Sequence, residues 1–101
     1  MTVSTEVRDK FAKDLATVDW KDLRFHLQKD AIILVAADLD LVDVAVEVAG
    51  DNKHQVSAWI SAGQLHKPSR EQIDRWETRL DTPFRMLIAQ PYILAQPVTH
   101  G

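Results

Sequence analysis

The chain has no cysteine, only 3 glycines and 4 prolines, and aromatic residues make up 7% of its 101 positions. Without cysteine there is no disulfide framework, thiolate zinc site, iron–sulfur cluster or cysteine nucleophile, and a reducing compartment is compatible. Glycine this scarce also excludes a Gly-rich phosphate-binding loop. The longest unbroken apolar stretch, Ala31 to Ala37, falls far short of the roughly 20 residues that cross a bilayer. Met1 to Asp9 lacks the apolar core of a signal peptide, so the expected location is the cytoplasm and no membrane association is expected.

What is present suffices for an ordinary core: 46% of residues are hydrophobic and 27% charged. Surface scaling lets a chain of this size bury roughly two-thirds of its extended surface without a metal or crosslink. The Pro- and Gly-containing stretches are turn-sized and leave no linker, so a single domain over residues 1–101 is expected. The net charge of -3 is uneven: Met1 to Asp51 carries 11 acidic and 6 basic residues, Asn52 to Gly101 carries 4 and 6. An acidic first half argues against a general polyanion binder.

Val3, Val7, Phe11, Leu15 and Val18 recur at helical spacing and predict an amphipathic first helix. Asp19 is placed to cap a short second helix with Trp20, Leu23 and Leu27 on one face. Ala31 to Ala36 is an apolar run without alternation, as in a strand covered on both sides. Leu41 to Ala49 (LVDVAVEVA) has valines alternating as in a strand, yet Asp43 and Glu47 stand one helical turn apart and Asp40 or Asp38 can cap a helix. We read it as a helix, because Gly50-Asp51-Asn52 then supplies a stop and a new cap. Lys53 to Ala62 continues as a helix ended by Gly63, with Val56, Trp59 and Ile60 inward. Ser69 and Gln72 form a capping box for a helix whose stripe is Ile73, Trp76 and Leu80. Phe84 to Gln90 and Tyr92 to Gln96 are strand-like, and Pro91 implies an edge or a break there. The expected architecture is α+β: a helical body of four to five helices, including a hairpin resembling helix-turn-helix, with a small sheet formed by residues 31–36 and the C-terminal strands.

Three constellations could carry chemistry. The string GDNKHQVSAW resembles the turn and second helix of helix-turn-helix regulators, with Lys53, His54, Gln55 and Ser57 facing outward and Arg70 and Arg75 available for phosphates. Its face holds a single permanent cation, whereas DNA affinity rests on several, and Asp51 occupies a position where such motifs pack an apolar residue. Second, Asp38, Asp40, Asp43 and Glu47, with His26 and Asp30 upstream, have the donor types for a divalent cation. Their spacing lacks the glycine and the late glutamate of a calcium loop, so no metal or other cofactor is expected. Third, the serines stand in no nucleophile-elbow context, and His26, His54, His66 and His100 have no orienting partner in sequence. Catalytic residues are therefore not expected.

Trp20-x-x-Leu23-Arg24-x-His26, Asp30-Ala31-Ile32-Ile33-Leu34-Val35, Leu39-Asp40-Leu41-Val42-Asp43-Val44, Val56-x-x-Trp59-Ile60-x-x-Gly63-x-Leu65-x-Lys67-Pro68 and Gln90-Pro91-Tyr92-x-Leu94 follow one another along the chain. Taken together they resemble the uncharacterised bacterial family known as domain of unknown function 2288, over Trp20 to Gln96. The resemblance implies a stand-alone cytoplasmic bacterial protein with no established activity, cofactor or partner. It singles out His26, Asp40, Asp43, Lys67 and Gln90 as a candidate polar site. The favoured expectation is a non-enzymatic protein-interaction or regulatory module working through an apolar or edge-strand surface, as a homodimer or with a protein partner. A helix-turn-helix nucleic-acid binder is the alternative, and a metal-dependent or acid/base enzyme using His26, Asp40 and Asp43 the second.

Overall fold

A computed structural model describes residues 3–98. In chain order the elements are α1 (Val3–Asp14), β1 (Ala16–Asp19), α2 (Trp20–Leu23) running into a 3₁₀ segment (Arg24–Lys29), β2 (Ile32–Val35), α3 (Leu41–Ala49), α4 (Lys53–Ser61), β3 (Leu65–His66), α5 (Arg70–Glu77), β4 (Pro83–Ala89) and β5 (Tyr92–Pro97). Five helices and a five-stranded mixed sheet make an α+β fold. The strand order is β1-β4-β5-β2-β3, antiparallel except for the β5–β2 pair.

Because successive side chains of a strand point to opposite faces, the central strands build two cores. Leu87, Leu94, Ile33 and Val35 face one way, and Leu94 is the partner of both Leu87 and Ile33. This face packs under α3, α4 and Phe11 of α1. Ile93, Ala95, Ile32, Leu34, Phe84 and Met86 face the other way, against Trp20, Leu23, Leu27, Ile73 and Trp76 of α2, the 3₁₀ segment and α5. Both faces of β2 are covered, which is why Ala31 to Ala36 shows no polar alternation.

The valine-rich segment is helical for reasons its own residues supply. The Asp40 carboxylate accepts the N–H groups of Val42 and Asp43, satisfying donors that the first turn leaves free. Leu41, Val44 and Ala45 are buried together with Val42, a helical stripe in place of the alternate burial of a strand. At the far end the left-handed residue is Asp51 (φ 56°), while Gly50 stays at φ -81°. A side chain at Gly50 would meet the carbonyl of Val46 at 3.2 Å, a tight contact that glycine avoids. Asn52 then caps α4 by accepting from the N–H of Gln55. Asp40→Ala is expected to cost about 1 kcal/mol in urea unfolding and Asp40→Asn close to nothing, because asparagine caps as well as aspartate.

Four expectations are corrected. The first helix ends at Asp14, and Leu15 and Val18 leave its stripe: Val18 belongs to β1 and pairs with Phe84, so sheet pairing overrides the helical spacing. Asp19 stands at the start of α2 without a side-chain capping bond. Leu80 lies beyond α5, where its carbonyl accepts from the N–H of Lys21. The tail is no edge: β4 and β5 each have two neighbours, and the outer strands are β1 and β3. Pro91 falls in the turn between them, at a cis Gln90–Pro91 bond, and interrupts neither ladder. The capping box at Ser69 and Gln72 has both of its bonds.

Candidate functional site

An apolar groove of about 560 Å³ lies on the α3–α4 face. Its floor is sheet, Ile33 and Leu94. One wall is the end of α3 at Val48, the other is Val56 and Ile60 of α4, and β3 closes it with Leu65. Its size lies within the range of ligand and side-chain pockets, about 300 to 1,000 Å³. The groove opens toward the turn between β4 and β5. At its mouth Ile60 is 57% and Tyr92 42% exposed.

The polar groups are confined to the rim. Lys67 pairs with the carboxylate of Asp30, and both side chains are mostly exposed, 59% and 73%. Asp30 ends the 3₁₀ segment in the left-handed region (φ 53°), with its N–H donating to the carbonyl of Leu27. The ring Nδ1 of His66 lies 2.9 Å from the carbonyl of Lys67.

The candidate polar residues are divided between the two ends of the sheet. Asp40 caps α3 and Asp43 pairs with Arg8 of α1. Lys67 is on the rim of the groove and Gln90 in the exposed turn beyond it, at the far end of α3, a helix about 13 Å long at 1.5 Å per residue. His26 is half-buried in the 3₁₀ segment, four residues before Asp30. Glu47 accepts from the side chain of Asn52, and Asp38 from that of Gln64. No three His, Cys, Asp or Glu side chains gather among the described residues where they could hold a metal ion; His100 lies outside those residues. No described helix is long and apolar enough to cross a membrane.

The proposed reading face is divided as well. Lys53, His54 and Ser57 are exposed on α4 and Gln55 is half-buried. Arg70 and Arg75 belong to α5, whose Ile73 and Trp76 pack on the other face of the sheet, and Arg70 lies 3.6 Å from Asp74. The groove itself went unforeseen in the sequence. Val48, Val56 and Ile60 register there as core positions, and only the assembled sheet shows that they leave Ile33 partly exposed.

Sheet and groove together define an α+β fold whose mixed sheet is covered on both faces and carries an open apolar recess. The chain belongs to the DUF2288 family, described as a protein of unknown function, whose family model matches residues 6–97. It is also similar to PA1075 from Pseudomonas aeruginosa, known from an NMR solution structure: 26% identity, a TM-score of 0.78, and coverage of 99% of this chain and 89% of that one. Comparison with curated proteins gives no match.

Proposed function

We propose that the protein is a non-enzymatic protein-interaction module whose receiving surface is the groove between α3, α4 and the sheet, and whose partner presents an amphipathic segment with two or three apolar anchors. The observation that carries this reading is the open apolar recess itself, with Ile60 and Tyr92 standing at its mouth. Seating an aliphatic side chain there removes apolar surface on both partners, worth roughly 1.5 to 3 kcal/mol per anchor. Ordering and association costs take back much of that, so affinity on the order of micromolar to millimolar is expected. Helix-in-groove binding uses such anchors at i, i+3 and i+4. The helix-turn-helix alternative has less support, since α4 carries Lys53 as its permanent cation and the arginines leave from beyond the sheet.

The test is an NMR titration with a terminally blocked amphipathic leucine peptide. Amide shifts confined to Ile33, Val48, Val56, Ile60, Leu65 and Tyr92 are the expected result, weakened at least tenfold by Ile60→Asp, which puts a charge into the recess. Absence of shifts at millimolar peptide, or shifts spread over both faces of the sheet, would remove the reading.

A further inference from the structure

A smaller hollow, of about 110 Å³, opens where β5 ends, away from the groove, and is lined by Ala37, Arg85, Gln96, Pro97 and Val98. Arg85 and Gln96 are cross-strand partners in β4 and β5, so a guanidinium and a carboxamide border the same opening. Gln96 is only 7% exposed, and its Nε2 gives both hydrogens to the carbonyls of Ala36 and Leu39. Those bonds fix the amide: a carbonyl only accepts, so the NH2 faces the two carbonyls and Oε1 faces away from them. Among the described residues nothing donates to that oxygen, and no side-chain nitrogen or oxygen is sealed from solvent without a partner. Oε1 therefore stays open to solvent, and the opening that Gln96 lines is this hollow.

Arg85 is exposed and, among the described residues, has no carboxylate within ion-pair distance, unlike Arg8, Arg24, Lys67 and Arg70. The acidic side chains of the adjoining turn are held elsewhere: Asp38 accepts from Gln64, and Asp40 from the N–H groups of Val42 and Asp43. Asp19, two positions along β1 from the residue opposite Arg85, makes no ion pair with it.

We propose that this hollow binds a small protonated oxyanion, hydrogen phosphate or bicarbonate, whose charged oxygens accept from the Arg85 guanidinium while its hydroxyl donates to Gln96 Oε1. A guanidinium presents paired N–H donors that match two oxygens of one oxyanion. The Gln96 oxygen supplies the selection. It is a fixed acceptor, so an oxyanion that keeps a proton gains a bond there, whereas one without a proton sets oxygen against oxygen. Gln96 cannot turn its NH2 toward such an anion without releasing both carbonyls. Hydrogen phosphate is thus accepted where sulfate, of the same shape, is refused. The site is independent of the groove and of whatever occupies it.

The experiment is a set of NMR titrations of the full chain near neutral pH and at constant ionic strength, with inorganic phosphate, bicarbonate and sulfate. Phosphate keeps a proton under these conditions and sulfate keeps none. Shifts are expected at the amides of Ala37, Arg85, Gln96 and Val98 and at the side-chain NH2 of Gln96, saturating at millimolar phosphate or bicarbonate. Sulfate is expected to bind at least about tenfold more weakly, the loss of one charge-assisted bond. Arg85→Gln, a change at an exposed side chain that leaves the ladder in place, should weaken phosphate by about tenfold as well. Bicarbonate binding with phosphate shut out would support the proposal and assign the smaller ion. Sulfate shifting the same amides at the same concentrations would overturn it, since the Gln96 oxygen would then select nothing. Phosphate shifts that survive Arg85→Gln, or no localised shifts at tens of millimolar of any of the three ions, would overturn it too.

Discussion

Trp20→Ala is expected to lower the stability of the chain by about 3 to 5 kcal/mol, the range for truncating a large buried aromatic. Trp20 is fully buried on the second face of the sheet. Its ring lies 5.0 Å from that of Trp76 and 5.9 Å from that of Phe84, and Trp76 meets Phe84 edge-on at 4.9 Å. Aromatic pairs at such distances contribute beyond the area they bury, so one truncation removes two of the three contacts. The indole N–H also donates to Glu77, whose other carboxylate oxygen accepts from Arg24. Alanine therefore leaves a partly buried carboxylate one donor short as well as opening a cavity. Against a total of about 5 to 15 kcal/mol for a domain, this is a large fraction, and at about 4 to 8 °C per kcal/mol the melting temperature should fall by at least about 12 °C. Trp20→Phe keeps the ring and loses the donor, and about 1 to 2 kcal/mol is expected. The measurement is urea unfolding followed by the fluorescence of Trp59 and Trp76, and a loss under about 1 kcal/mol for the alanine variant would mean that the second core is not built around Trp20.

That core was legible in the sequence only in part, and the reason is physical. Trp20, Leu23 and Trp76 are recognisable as apolar helical positions, and Ala31 to Ala36 as a strand, because each pattern is local. Which of them meet depends on pairing across the chain: Ile32 opposite Ile93, Val18 opposite Phe84. β1 was hidden for the same reason. Ala16 to Asp19 has no alternation strong enough to compete with the helical spacing of Val7, Phe11 and Leu15, and it becomes a strand because β4 offers it a ladder. β3, at two residues, is too short for any periodicity. The capping signals fared better, since Asp40, Asn52 and Ser69 act within four residues of themselves.

Site residues were less legible than the fold. Asp40 and Asp43 attract notice as carboxylates close in sequence, yet one is a cap and the other an ion-pair partner of Arg8. The groove is built from Ile33, Val56, Ile60 and Leu94, residues whose type says only that they avoid water. Exposure of an apolar side chain is a property of the assembled surface, and Ile60 and Val56 are indistinguishable by type from core positions.

Gln96→Leu is the second substitution with a large expected effect, about 1 to 3 kcal/mol, and it links the sheet to the groove. Among the described residues Gln96 is the one buried polar side chain. Its side-chain amide donates both hydrogens, to the carbonyls of Ala36 and Leu39, each at 2.8 Å. These carbonyls belong to the turn that delivers Asp40 to the start of α3. Leucine has nearly the same bulk but no donor, so the change leaves the carbonyl of Leu39 unpaired and that of Ala36 with the N–H of Leu39 alone, and an unsatisfied buried acceptor costs about 1 to 3 kcal/mol. A hollow of about 110 Å³ lined by Gln96, Arg85 and Pro97 gives water room beside the site, which keeps the expected loss below the upper end of that range. Gln96→Glu, which replaces the donating amide by acceptors, should cost more than leucine at neutral pH. The effect should also be local: hydrogen exchange ought to quicken at residues 39–44 before it does in β4 or β5, because the turn and the cap of α3 lose their anchor while the ladders keep theirs. Since Val48 at the other end of α3 is a wall of the groove, the same variant should bind the leucine peptide more weakly than wild type even where it remains fully folded. Uniform acceleration of exchange across the sheet, with peptide affinity unchanged, would show that Gln96 supports the fold as a whole and does not position the groove.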